Sequence, residues 1–389
     1  MELFDSIERR EFKPAKYSDG IYSYLNLSAR EEIVRIRKAI QEFFDNYPNG
    51  DDKLRIFQSF RSKDDHVHHS AFFEIFIHAL FSKAGYKLKT HPEIEGMETR
   101  PDFSVFKNGK LLFYIEATIS TPSKDDFKKQ KIIDDLFDKL NKIKSPNFWF
   151  QVHYSGYLES YIKLKDIEKP IMHKLNRCSI DKYYEFYKSE NFNLLPNICF
   201  NSNSFKLEII FVPKTEAQKK DNNFRNVAMI SGGAYRIITE DEINKSIRKK
   251  AKKYNLLNHP LIIAVNCIDD KIINADDDDV SSALFGKHQV NFHMKDHKVE
   301  DTSLSRDNKG AFFHRQSPIN SRINAVLIGA NITSFNFVNK YLKLWHNPYS
   351  YTSQLVDLIP IPQMIPNYEV SAMEFRDGIS IENILKSNL

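Results

Sequence analysis

At 389 residues, with 41% hydrophobic and 13% aromatic side chains, the chain has apolar material for one large core or two ordinary ones and is no disordered protein. A formal charge of +5 permits a polyanionic partner without demanding one. The longest apolar runs, such as 261–265, are far too short to cross a bilayer, the N-terminus lacks the segments of a secretory leader, and Cys178, Cys199 and Cys267 stand alone without a CxxC pair. A cytoplasmic protein without membrane attachment is expected.

Ile33, Ile36, Ile40 and Phe43 recur at helical spacing and predict a first helix over 29–46, stopped by Asn46-Tyr47-Pro48-Asn49-Gly50. A second is predicted over 70–84, after the polar lead-in Asp64-Asp65-His66; it is apolar almost all round, ends at Gly85 and should be buried. Extended segments follow at 86–90, 102–106 and 111–118, with Asn108-Gly109 between the last two as a strong hairpin signal. A helix over 124–144 turns Ile133, Leu136, Phe137 and Leu140 inward, and 148–152 reads as a fourth strand. The order helix, three strands, helix, strand predicts an α/β core over about 29–155, within an N-terminal region spanning 1–195, with a mixed sheet flanked by helices.

The second half, 196–389, is expected as an α/β extension, continuous with the core or beside it. Its predicted elements are a strand over 207–212, a basic helix over 243–255, a strand over 261–265 and a short helix over 280–285 capped by the aspartates of 276–279. Strands over 322–328 and 333–337 and an irregular tail from Pro360 complete it.

Two carboxylates fall at one end of the predicted hairpin. Asp102, after Pro101, opens one strand and Glu116 closes its antiparallel neighbour, and alternation puts Glu116 and Thr118 on one face. Oxygen donors of this kind, with the Ala117 carbonyl between them, suit Mg2+ or Mn2+, which activates water and stabilises charge on a phosphoryl group. Glu74 is the one acid within the apolar run of the second helix. A buried, unpaired carboxylate is costly, so Glu74 is either a site residue or the residue that points out.

With these residues in place, the chain resembles the PD-(D/E)XK restriction-endonuclease-like superfamily. Pro101-Asp102 at the second strand, Glu116-Ala117 at the third and Glu74 in the first core helix match its pattern, over about the first two-fifths of the chain. The resemblance implies a restriction-endonuclease-like core and metal-dependent endonuclease activity on nucleic acid, DNA before RNA, in restriction, repair or phage defence. It also implies Asp102 and Glu116 as ligands of Mg2+ or Mn2+ and Glu74 as an auxiliary acid. Thr118 departs from the pattern, since the family usually has there a lysine that orients the attacking water. Either another cation moves in, with Lys124, Lys87 and Lys89 as candidates, or hydrolysis is lost and the chain is a nucleic-acid-binding or scaffold module. A homo-oligomer is compatible with both.

Lys245, Arg248, Lys249, Lys250, Lys252 and Lys253 lie on an acid-free stretch, opposite a stripe of Ile243, Ile247, Ala251 and Tyr254. They could track phosphates, or form the solvated face of an ordinary helix. His66, His68 and His69 lack a separated second ligand pair and read as a polar loop and cap before a zinc site. His78, one turn beyond Glu74, reads as a hydrogen-bonded core residue before a partner of that acid. Ser231-Gly232-Gly233 lacks the surroundings of a phosphate loop and reads as a turn. Tyr183, Tyr184, Phe186 and Tyr187 could stack on bases, but with 30 Phe and 18 Tyr in the chain core packing is the default.

Overall fold

A computed structural model of the chain describes residues 1–121, 124–220, 225–232, 239–254, 257–268, 276–295, 298–351, 355–369 and 372–386. Two compact units divide it: Met1–Ile7, Glu32–Pro122 and Ile237–Leu389 form the first, and Glu8–Glu31 with Ser123–Arg236 the second.

In the first unit, helices α1 (Glu31–Asp45), α2 (Asp51–Phe60) and α3 (Asp65–Lys83) lead into strands β1 (Lys87–Thr90), β2 (Phe103–Lys107) and β3 (Lys110–Ser120). The chain returns to this unit with α4 (Thr239–Ala251), β4 (Leu261–Cys267), α5 (Asp277–Phe285) and the hairpin β5 (His288–Lys295) and β6 (Lys298–Arg306). Strands β7 (Ile323–Ala330), β8 (Leu342–His346), β9 (Gln363–Asn367) and β10 (Ala372–Arg376) and helix α6 (Ile381–Lys386) follow. Among the described residues the main sheet has eight strands in the order β1-β2-β3-β4-β7-β8-β9-β10. It is mixed: β3 with β4, β4 with β7 and β8 with β9 run parallel, the other pairs antiparallel.

Helices flank this sheet on both faces. Phe81 of α3 meets Phe113 of β3 edge-on at 5.9 Å, while Ile243 and Ile247 of α4 pack with Ile263 and Val265 of β4. Glu116 lies level with Ile263 in the register, so it shares the α4 face, and Ile115 and Phe113 share the α3 face. Every residue of β4 and β7 is buried, as central strands covered on both faces require.

Local signals explain how α3 and the β2–β3 hairpin start and stop. Asp64 caps α3 by accepting the His66 N–H at 2.9 Å. At its other end Gly85, at φ 88°, lets the Tyr86 N–H reach the Phe81 carbonyl and its own N–H reach Ser82, with the Phe81 and Tyr86 rings in contact. Asn108 and Gly109, at φ 52° and 77°, form the tight turn whose twist suits the strands it joins.

The second unit has its own four-stranded sheet of Phe148–Gly156, Asn197–Asn201, Phe205–Pro213 and Val227–Gly232. One face packs Phe150, Val152, Leu207 and Ile209 against Leu136, Leu140, Ile167 and Ile171 from helices Lys124–Lys142 and Leu164–Leu175.

Several expectations are corrected here. The strand at 148–156 belongs to the second unit's sheet and not beside the β2–β3 hairpin. Its alternation of buried Phe148, Phe150 and Val152 with less buried neighbours suits a sheet covered on one face. The position beside β3 is buried on both faces and is taken by β4, apolar along nearly its whole length. The boundary expected near residue 195 falls within the second unit. The segment 333–337 is a turn closed by reciprocal backbone bonds of Thr333 and Asn336, not a strand. The basic helix starts earlier than expected, which puts Glu240, Asp241 and Glu242 in its first turn and its basic residues towards its C-terminus, an arrangement its dipole favours. Asp276 does cap α5, accepting the Asp279 N–H at 2.8 Å. No helix among the described residues is long and apolar enough to cross a membrane.

Candidate functional site

Pro101 has no N–H to give a strand ladder, and β2 begins only at Phe103. The pairs Thr90↔Phe103 and Phe103↔Ile115 set the register. One step further, His91, Asp102 and Glu116 fall in a row across three strands. Here the β2–β3 ladder stops while β3 runs on beside β4 to Ser120. The Asp102 side chain takes over, its Oδ2 accepting the Ala117 N–H at 2.6 Å. His91 closes the row with φ 39°, a left-handed conformation uncommon for a side-chain-bearing residue.

Glu74 reaches this row from α3. It is buried and not pointing out: Tyr47 Oη donates to its Oε1 at 2.7 Å and Arg55 Nη2 at 2.6 Å. Burial, with the nearby Asp102 charge, raises the Glu74 carboxyl above its usual range, against the pull of Arg55 and Tyr47. Burial and the Glu74 charge also push the Tyr47 phenol up, so Tyr47 remains a donor. Ligand atoms of Glu74, His91 and Asp102 all lie within 4.8 Å of one another. His91 Nε2 stands 3.5 Å from Asp102 Oδ1, and Nδ1 stands 3.0 Å from Asp52 Oδ1, at an angle that makes the second an ion contact and not a hydrogen bond. Its bond to Asp102 raises the imidazole above its ordinary value against the effect of burial.

Glu116 is only 2% exposed and meets α4 and the residues just beyond it. Lys250 Nζ lies 2.5 Å from Glu116 Oε1 and 3.3 Å from the Ala117 carbonyl oxygen, and Lys253 Nζ lies 3.5 Å from the same carboxylate oxygen. Tyr254 donates its hydroxyl proton to Glu116 Oε2, with the Arg100 carbonyl at 3.1 Å. Burial first, then the Glu116 charge, raises the Tyr254 phenol and keeps it protonated. Thr118, half-buried, is the next residue on the Glu116 face.

The cation beside Glu116 therefore comes from α4. Lys87 is exposed on β1, Lys89 lies over the Phe106 ring, and the Lys124 side chain is outside the described residues. Of the six basic residues expected to face phosphates, Lys250 and Lys253 pair with Glu116. Arg248 Nη2 instead donates to the Gly310 carbonyl at 2.8 Å, and Lys245 pairs with Glu242 at 2.7 Å. Lys249 and Lys252 are exposed. A signal for Lys250 was present in the sequence: with Ile243, Ile247 and Tyr254 it makes the series i, i+4, i+7, i+11, which is the buried stripe.

His91, Asp52, Arg55 and Tyr47 carry no motif and are found only through the fold. His78 packs against the rings of Tyr47 and Phe103, as a core residue, and does not partner Glu74. His68 and His69 are buried in the first turns of α3. Tyr183 and Phe186 lie under Lys182 on helix Ile180–Lys188 of the second unit. Gly232 ends a strand, and Gly233 is outside the described residues. Comparison with models of protein families, with curated proteins and with solved structures finds no match.

Proposed function

We propose that the chain is a metal-dependent nuclease on a restriction-endonuclease-like core, hydrolysing phosphodiester bonds with DNA as the favoured substrate. The observation that carries this reading is the meeting of two acids and an ammonium around Ala117: Asp102 on its N–H, and Lys250 on both its carbonyl and Glu116. Lys250 thus supplies from a helix the charge that Thr118 lacks. The order α3, β1, β2, β3, α4, β4 supports the same reading.

The donor set fits a divalent cation. Glu74, His91 and Asp102 have ligand atoms within 4.8 Å of one another and suit a divalent cation, Mn2+ best once His91 gives up its proton, whereas Glu116, its oxygens held by Lys250 and Tyr254, would join as a further ligand only on release from them. Such an ion would make a bound water more acidic and stabilise charge on the phosphoryl oxygens. Lys250, fixed by Glu116, is placed to orient a water and offset developing negative charge over the Ala117–Thr118 face. Tyr254 keeps its proton and orients the Glu116 carboxylate, and the Thr118 hydroxyl offers a further bond to water. Lys249, exposed on the same helix, and Lys252, exposed in the turn after it, can meet the phosphate backbone.

One observation favours a second reading, a binding or scaffold module without catalysis. Each acid already faces a cation, Arg55 for Glu74, His91 for Asp102 and Lys250 for Glu116, so the network is satisfied by protein groups alone. Incubating the protein with supercoiled and linear DNA and with RNA, in Mg2+, Mn2+ or chelator, separates the two. The nuclease reading expects metal-dependent cleavage that falls about 100-fold or more in Asp102→Asn and in Lys250→Met. Retention of nucleic acid without cleavage in either metal would establish the second reading.

A further inference from the structure

Strands β8 to β10 lie at the edge of the main sheet away from β1 to β3, and between them and α5 opens a cavity of about 820 Å³. That is the size of a small-molecule site. Its walls are aromatic: Phe285, Phe313, Trp345, Tyr349 and Tyr368. The Phe313 and Tyr349 rings stand 5.7 Å apart, tilted by 33°. Trp345, 1% exposed, lies at the buried side, its indole N–H donating to the Tyr341 oxygen at 3.2 Å. Tyr341 in turn donates to Asp277 at 2.8 Å, and Lys343 neutralises that acid at 2.6 Å. The charge of Asp277 is therefore already answered, and what this side offers a guest is ring surface.

The rest of the lining mixes apolar Pro348, Met364, Pro366, Ala372 and Met373 with polar groups. Arg306 is pinned by the Gly286 carbonyl at 2.7 Å, the Ser281 hydroxyl at 3.0 Å and the Ser281 carbonyl at 3.5 Å. Those bonds use at most three of its five N–H donors. His288 lines the cavity with it, and Asp278, Asn308 and Asn367 add further donors and acceptors.

We infer that this cavity binds a nucleotide, its base against the aromatic walls and its phosphate at Arg306 and His288. A hydrocarbon guest would strip water from Arg306 and Asp278 and return no bond. A sugar phosphate alone would leave the aromatic faces unused. A base has a π-face for the rings and a hydrogen-bonding edge for Asp278, Asn308 and Asn367, and a phosphate matches the planar guanidinium. The nucleotide could be free or one residue of a polynucleotide. The inference does not depend on the chemistry at Asp102 and Glu116.

Titration calorimetry of the full chain with the four nucleoside monophosphates, with ribose 5-phosphate, and with oligonucleotides carrying either a normal or an abasic residue tests it. At least one monophosphate is expected to bind with Kd below about 1 mM, and ribose 5-phosphate about tenfold or more weakly. Tyr349→Ala, and the rim variant Tyr368→Ala at a residue 65% exposed, should each weaken binding about tenfold, while Asp102→Asn should leave it unchanged. Displacement of the mononucleotide by the oligonucleotide with an intact base, but not by the abasic one, assigns the cavity to a polynucleotide; no displacement by either assigns it to a free nucleotide. Absence of any base-dependent binding, or binding indifferent to both tyrosine variants, overturns the inference.

Discussion

Glu74 faces two kinds of partner, and their contributions differ. Tyr47 is buried, so losing the carboxylate leaves its hydroxyl without that acceptor inside the core, while the Arg55 side chain is 45% exposed and its ion pair adds little. Glu74→Ala should therefore cost about 1–3 kcal/mol in urea denaturation. Glu74→Gln keeps an acceptor for Tyr47 and removes a charge that burial and Asp102 disfavour, so it should stay within about 0.5 kcal/mol of the wild type. An alanine variant as stable as the wild type would mean that Tyr47 and Arg55 do not depend on this acid. The three acids were legible because carboxylates stand out in apolar or strand-end contexts. Lys250 was hidden among six basic residues, although its spacing from Ile243 and Ile247 marks it as the one on their stripe. His91 could not be read at all, because its place opposite Asp102 depends on strand register.

At the scale of elements, α3 was readable in its apolar run and glycine stop but not at its start: the helix expected from 70 begins at Asp65, capped by Asp64, and takes in His68 and His69, which were expected in a polar loop and cap. Its burial makes three histidines pH-sensitive. His68 donates from Nδ1 to the Phe60 carbonyl at 2.5 Å, and its Nε2 lies 2.6 Å from the Ser334 hydroxyl, which can donate to the neutral ring. Burial lowers the His68 imidazole to about 3 and those of His69 and His78 to about 4. The unfolded chain takes up these protons near the ordinary histidine value of about 6.5, whereas the folded chain resists until about pH 4. Folded stability should fall as pH drops through that window, by up to about 1.4 kcal/mol per unit for each histidine. Urea midpoints between pH 7.5 and 4.5 measure it, and His68→Gln should make the decline shallower. A flat profile, or one that His68→Gln leaves untouched, would argue against neutral buried rings. The hairpin at Asn108-Gly109 was legible in sequence, but the strand beside it was not. Residues 148–152 and 261–265 are both apolar enough, and only burial on two faces against one separates them.

Across the whole molecule, the chain builds the site's unit from three stretches, 1–7, 32–122 and 237–389, and the other unit from the two stretches that separate them in sequence. Sequence reading joined neighbours along the chain and so drew a boundary near 195, because local periodicity carries no record of which strands meet. Each unit has its own core, around Phe150 and Ile209 in one and Ile263 and Trp345 in the other. Calorimetry should resolve two cooperative steps, with Ile209→Ala moving one and Ile263→Ala the other; one transition displaced as a whole by either variant would contradict that division. The order of the main unit matters most for chemistry, since it brings α4 over β3 and Lys250 to Glu116. The direct test of that placement is to move the charge back. Initial rates of metal-dependent DNA cleavage are compared for the wild type, Lys250→Met, and Lys250→Met combined with Thr118→Lys. The expected result is strong loss in the single variant and recovery of about tenfold or more when position 118 carries the lysine. A Lys250→Met protein that cuts as fast as the wild type, or a wild type that cuts with neither Mg2+ nor Mn2+, would contradict the account.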